Sequence, residues 1–134
     1  MKLSKKCEYA CLILIELARV YDEKGLLTGS VIAEKNHIPR KFFDQIANML
    51  KRKGYIISTR GTFGGYLLAK PPSRINMAEI IRMIDGAIAP VSAASEFFYK
   101  NSPSEQNEKL IACFRDIRDY AAQKLEQLTF DMLV

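Results

Sequence analysis

The residues best placed to do chemistry lie in the stretch Thr59 to Pro71, which reads TRGTFGGYLLAKP. An arginine is followed by three glycines within five residues, then by an alternating apolar run that ends at two prolines. Glycines at this density either cradle a phosphate or close a hairpin that holds the arginine out from the surface. A phosphate cradle needs Lys-Ser/Thr after the glycines and a helix whose N-terminus faces the anion. Neither follows here, so the stretch reads as a hairpin and a nucleotide site is set aside. Cys7 and Cys11 stand four apart on one helical face, the spacing of half a metal site or of a redox pair. Both also fall in an apolar stripe, where free cysteine serves as a small core residue. Cys113 sits one residue off the apolar stripe of the last helix, in a packing position or at a seam between subunits. His37 has no second donor near it in sequence and reads as a turn residue. With one histidine, no base–nucleophile pair and no metal-ligand set, an enzyme is the least supported class.

These residues need a scaffold, and the composition limits it. The chain has 134 residues, 49% of them hydrophobic, and a net charge of +5. No apolar run approaches the roughly 18 residues of a membrane span, so one soluble globular domain, or one domain with an appendage, is expected, free of the membrane. The opening MKLSKKCEYACLILIELA has the basic-then-apolar order of a signal peptide, but Glu8, Tyr9, Glu16 and Arg19 recur at helical spacing, which marks a mature helix. Three cysteines without framework spacing fit a reducing compartment, taken as the bacterial cytoplasm. Residues 1–74 carry 14 Lys/Arg against 6 Asp/Glu, an excess of +8, while residues 75–134 carry 6 against 9, a balance of −3. A basic front is the electrostatic footprint of a nucleic-acid surface, and also of ordinary solvated charge.

The periodicity supplies the elements. Leu3, Cys7, Ala10, Cys11, Leu14, Leu17, Ala18 and Tyr21 recur at steps of three and four, predicting a helix over 4–22. Leu12, Ile13, Ile15 and Val20 add apolar surface on its other side, which predicts burial on two sides. Thr28 can cap a short second helix with Val31, Ile32 and Ala33 inward. Asn36-His37 suits the left-handed turn that follows, and Pro39 suits the first turn of a third helix. That helix runs to about Lys53, buries Phe42 or Phe43 with Ile46, Met49 and Leu50, and closes at Gly54. A short helix, a tight turn and a longer helix opening with Pro-Arg-Lys form a helix-turn-helix pattern. The period then drops to two: Tyr55 to Ser58 and Gly65 to Lys70 are strands, and RGTFGG is the tip of a wing. A helix over 76–85, a long loop over 86–103 and a final helix over 104–128 complete the chain. The stripe Leu110, Phe114, Ile117, Ala121, Leu125 and Leu128 makes that last helix longer than this small core needs, which points to packing against a symmetry mate. The expected fold is therefore mainly α with a small β-wing: a winged helix-turn-helix over 1–74, then a connecting helix, loop and dimerisation helix over 75–134.

MKLS with Tyr9-Ala10, the run IAEK, Ile38 to Ile46 with Gln45, and above all RGTFGGYLLAKPP are similar to the Rrf two family of winged-helix transcription regulators. The likeness spans roughly residues 1–86, and the order of elements matches through the final helix. It implies a homodimer on double-stranded DNA at an imperfect palindrome, with the long helices crossing between subunits. It also implies that the positions of Lys41, Asp44 and Gln45 face base edges and that Arg60 enters the minor groove. At Asp44 a glutamate is commoner in the family. Many members carry three cysteines before the last helix that bind an iron–sulfur cluster. Here the span GAIAPVSAASEFFYKNSPSEQN has none, and Ser92, Ser95 and Ser102 lack the soft donors that such a cluster needs. No metal or cofactor is expected, which puts the chain in a clusterless branch, and Glu8, a carboxylate-ligand position in some relatives, is given a surface role.

Each candidate also has a plainer reading. Arg60 at a hairpin tip is a solvated charge or the side chain that exploits the negative potential of a narrow minor groove. Lys41, Asp44 and Gln45 share a face of the third helix turned from Phe42, Ile46 and Met49, either a merely polar surface or a major-groove reader. As a reader, Gln pairs with adenine, Lys with guanine, and Asp accepts from cytosine. Lys5, Lys6, Thr28, Ser30, Arg40 and Thr59 are candidate phosphate contacts, which position without specifying sequence. Phe63 can wedge against sugar or base edges, pack on its own wing, or stay exposed. Phe97, Phe98 and Tyr99 either anchor their loop or line an effector pocket. The function expected is a sequence-specific dimeric repressor, and the alternative is a winged-helix adaptor that binds a partner protein through the acidic rear. An adaptor has no need of the basic front.

Overall fold

A computed structural model describes residues 1–95 and 100–134. They form two compact units. The first comprises Lys5–Ile75 with Thr129–Val134 and holds α1 (Lys5–Arg19), α2 (Gly29–Lys35), α3 (Arg40–Arg52), β1 (Ile56–Thr59) and β2 (Gly65–Leu68). Its core is built from the inward faces of α1 and α3, with Ile13, Leu14, Leu17, Phe43, Ile46 and Leu50 fully buried. Of the two candidate phenylalanines, Phe43 is the core residue and Phe42 is 49% exposed, so the alternative left open by spacing is resolved. Val31 is exposed, against expectation, and only Ile32 and Ala33 turn inward from α2.

The sharp turns of this unit have a common construction. After α2, Ile38 N–H donates to the Ala33 carbonyl at 2.9 Å and His37 N–H to the Glu34 carbonyl at 3.3 Å, with His37 at φ +54°. This is a Schellman ending, which satisfies the last helical carbonyls by turning one residue left-handed. After α3 the same pair of bonds joins Tyr55 to Leu50 and Gly54 to Lys51, with Gly54 at φ +82°. After α1 a turn carries the chain to Lys24, at φ +50°, where Lys24 bonds Tyr21 and Gly25 bonds Val20. The stop expected near residue 22 is thus a helix ending at Arg19 plus a turn that closes it. Thr28 caps α2 by accepting from Val31 N–H at 3.2 Å. Pro39 is the N-cap of α3, one residue earlier than expected.

β1 and β2 pair antiparallel, with Ile56 opposite Leu68 and Thr59 opposite Gly65. Leu27 adds an antiparallel bridge to Tyr66, through bonds of 2.8 and 3.1 Å, that no local period announces. Thr129–Val134 returns to this unit as a short 3-10 turn, and Phe130 is fully buried with its N–H bonded to the Ile75 carbonyl at 3.0 Å.

The second unit comprises Met1–Ser4 and Asn76–Leu128, with α4 (Met77–Asp85) and α5 (Glu108–Gln127). Asn76 and Glu79 form a capping box on α4, with bonds of 2.9 and 3.2 Å. The loop expected over 86–103 contains a 3-10 turn at Ser92–Ala94, and a second runs from Pro103 to Gln106. That second turn delays α5 to Glu108, where Asn107 caps it by accepting from Leu110 N–H at 2.9 Å. Ala89, Ala93, Ala94 and Ile111 make a small core with Phe114 against it. Arg118 donates to the Ala94 carbonyl and Arg82 pairs with Glu126, both at 2.8 Å. No helix among the described residues is long and apolar enough to cross a membrane. Phe97, Phe98 and Tyr99 lie outside the described residues.

Candidate nucleic-acid interface

The first unit presents α3 with one polar, exposed face. Burial of Phe43, Ile46, Ala47 and Leu50 fixes the rotation of the helix. Lys41, Asp44 and Gln45, at steps of three and four, are thereby all exposed on the opposite side. Among the described residues, nothing hydrogen-bonds or ion-pairs with the side chains of Lys41, Gln45 or Arg60. Asp44 differs: its Oδ1 lies 3.4 Å from Arg40 Nε.

The wing is tied to α3 by two connections. The Tyr66 ring meets the buried Phe43 edge-on, with centroids 5.6 Å apart. The Leu27 bridge to Tyr66 joins β2 to the segment that enters α2. Gly65 permits that bridge, because a Cβ there would stand 2.8 Å from the Leu27 carbonyl oxygen. The hairpin therefore has a fixed position relative to α3. At its tip Gly61 takes φ +103°, a conformation that side chains rarely adopt, and its carbonyl accepts from Gly64 N–H at 3.0 Å. Arg60 leaves β1 exposed to solvent, and Phe63 is 91% exposed, so it does not pack on its own wing.

The other candidates divide. Lys6 and Thr59 are exposed, and Lys5 is exposed but pairs with Glu8 at 3.3 Å, which gives Glu8 the surface position expected of it. Tyr9 on α1 lies 6.3 Å from the Phe42 ring, which brings the Lys5–Lys6 end of α1 beside α3. Thr28 is engaged as a cap, and the Ser30 hydroxyl accepts from Arg40 Nη1 at 2.9 Å. Behind this surface the buried Glu16 of α1 accepts from Lys35 at 2.8 Å and Arg19 at 3.1 Å, pinning α2 to α1. In the sequence Glu16 stands out only as one of the polar residues at helical spacing on α1, with nothing to mark it as buried.

In the second unit the predicted stripe splits between two faces. Phe114 packs on its own unit's core, while Ala121, Leu125 and Leu128 are half-buried. Leu128 lies just past the helix, and its carbonyl accepts from Met77 N–H at 2.8 Å. Leu110 and Ile117, each 43% exposed, line up with exposed Cys113 and with Tyr120, 73% exposed, at heptad-like spacing.

Two helices joined by a tight turn and followed by a two-stranded hairpin define a winged helix-turn-helix protein. A family model described as iron-dependent transcriptional regulator, Rrf2, matches residues 3–134. The regulator CymR of Bacillus subtilis is 35% identical over 96 residues, covering 72% of this chain and 69% of CymR. The solved structure of B. subtilis CymR, a global cysteine regulator, superposes with a TM-score of 0.76 at 31% identity, covering 98% of this chain and 95% of the other. That of IscR from T. potens gives 0.74 at 25% identity, covering 99% and 86%. The chain belongs to the Rrf2 family of DNA-binding transcriptional regulators, which are not enzymes.

The iron in that family description needs a donor set, and the described residues assemble none. The segment before α5 contains no cysteine. Cys7 is buried and Cys11 half-buried on α1, whereas Cys113 is exposed on α5 in the other unit. Among the described residues, no three His, Cys, Asp or Glu side chains converge to hold a metal ion.

Proposed function

We propose that the protein is a homodimeric, sequence-specific repressor of the bacterial cytoplasm that binds palindromic promoter sites without an iron–sulfur cluster. The observation that carries this reading is the coupling of wing to α3 through Tyr66, Phe43 and Leu27, which offers Lys41, Asp44, Gln45 and Arg60 on one preorganised unit. In it, α3 enters the major groove, where Lys41, Asp44 and Gln45 meet base edges. Arg60 enters the flanking minor groove, where a narrow A·T-rich segment concentrates negative potential. Lys5, Lys6 and Thr59 contact phosphates. The Thr28 cap sets the start of α2 against the backbone.

Dimerisation rests on the exposed side of α5, where Leu110, Ile117 and Tyr120 offer an apolar strip that a single subunit leaves in water. A second copy related by a two-fold axis covers it and sets two α3 helices about 34 Å apart, one turn of duplex. A cluster has no part in this scheme, because the segment before α5 carries no thiolate.

Selection of bound sequences from a random DNA pool tests the proposal. It should yield an inverted repeat, and Arg60→Ala should lose most affinity on A·T-rich flanks while Lys41→Ala relaxes one base pair per half-site. With about six phosphates neutralised, log K should fall against log salt with a slope near −5. Recovery of no motif, or variants that bind the motif as the parent does, would remove the proposal.

A further inference from the structure

Arg40 was expected to contact phosphate, but its surroundings describe a different task. Its Nη1 donates to Ser30 Oγ at 2.9 Å, its Nε lies 3.4 Å from Asp44 Oδ1, and its guanidinium carbon is 5.3 Å from the centre of the Phe43 ring. Gly29 leaves room for this arrangement, since a Cβ there would stand 2.9 Å from Arg40 Nη2. The guanidinium is thus seated between the start of α2 and the first turns of α3, with separate edges committed to a hydroxyl and a carboxylate.

We infer that Arg40 is a positioning residue for base recognition by Asp44: it holds one carboxylate oxygen so that the other accepts from a cytosine amino group. The inference rests on the proposed entry of α3 into the major groove. An exposed ion pair is weak by itself. Here, however, Ser30 and the Phe43 ring hold Arg40 independently of Asp44, so the seat does not depend on the strength of the pair. Two effects follow for recognition. The Asp44 rotamer is restricted before DNA arrives, which lowers the ordering cost of binding. The carboxylate also approaches the phosphates already neutralised. That matters because Asp44 is the only acidic residue between Lys35 and Arg74, a span that carries nine Lys/Arg.

The test measures binding of the parent and of Asp44→Ala, Arg40→Ala, Arg40→Lys and Ser30→Ala to duplexes in which each base pair of the selected half-site is varied. Asp44→Ala should abolish preference at one base pair. Arg40→Ala should reduce preference at that same pair by roughly fivefold or more, within the discrimination that one good base contact supplies, and leave the other positions and the salt slope unchanged. Arg40→Lys keeps the charge but not the planar fork, so it should lose the preference as Arg40→Ala does. Ser30→Ala, which removes one anchor and leaves the pair, should give a smaller loss at the same position, and melting curves of each variant check that the fold persists. Once Asp44 is gone, adding Arg40→Ala should change nothing further at that base pair. A uniform loss across all sequences with the salt slope reduced by about one would identify a phosphate contact and overturn the inference. So would unchanged preference in Arg40→Ala. If the parent selects no motif, or Asp44→Ala keeps every preference, the reading of the α3 face fails and this inference falls with it.

Discussion

Gly29→Ala is a substitution for which local and tertiary physics predict opposite signs. Gly29 opens α2, where replacing glycine by alanine ordinarily favours a helix by up to about 1 kcal/mol. In this structure the new Cβ would stand 2.7 Å from Phe43 Cε1 and 2.9 Å from Arg40 Nη2. The guanidinium is half exposed and can be pushed out of its seat at the cost of its bond to Ser30. The Phe43 ring cannot, because it is fully buried and holds Tyr66 edge-on. Carbon atoms in contact prefer about 3.5–4.0 Å, so either the ring or the start of α2 must move by roughly 1 Å. Overpacking of this kind costs about 1–3 kcal/mol. From the middle of that range, about 2 kcal/mol, less a helix gain of up to about 1 kcal/mol, the net loss is about 1–2 kcal/mol, or roughly 5–15 °C in Tm for a unit of this size. Thermal and urea denaturation followed by circular dichroism measure it. A Tm equal to or above the parent's would refute the reasoning, because that is the result helix propensity alone would give.

Three further outcomes follow from burial. Phe130→Ala should cost about 3–5 kcal/mol in urea denaturation, since the side chain is fully buried near the chain end; a loss under 1 kcal/mol would mean that the tail is not part of the core. Glu16→Ala should cost about 1–2 kcal/mol and more than Lys35→Ala, because it strands two half-exposed cations whereas the lysine change leaves Arg19 in place. The reverse order would contradict the bridge. Ile117→Asp should convert a dimer to a monomer by sedimentation while leaving the helical circular dichroism unchanged, as expected for a residue 43% exposed in one subunit; an unchanged sedimentation coefficient would move the dimer seam elsewhere.

The helix-turn-helix and the wing were legible because local physics writes them plainly. His37 and Gly54 announce left-handed turns, and Tyr66-Leu67-Leu68 announces a strand. Phe42 and Phe43 were indistinguishable because adjacent residues fit the same stripe to within a fraction of a turn, and only the depth of the core chooses between them. The Leu27 bridge and the return of Phe130 depend on partners 39 and 55 residues away, Tyr66 and Ile75. No local period records such contacts. The exposed face of α3 was found by subtraction, once the buried residues were assigned. Arg40 and Asp44 stand four apart, a spacing that allows their ion pair, but the Ser30 hydroxyl that anchors Arg40 lies ten residues away on α2 and no local period records it. On α5 one stripe of apolar residues spans two faces, because Leu110 and Ile117 differ from Phe114 in what covers them and not in residue type.

In the proposed mode of binding, two identical subunits read two mirrored half-sites together. Hydroxyl-radical footprinting of the protein on a selected duplex tests it most directly. Two protected patches related by a dyad are expected, with centres about one helical turn apart, each flanked by a minor-groove protection that disappears in Arg60→Ala. A single patch, or uniform shading that ignores sequence, would contradict it.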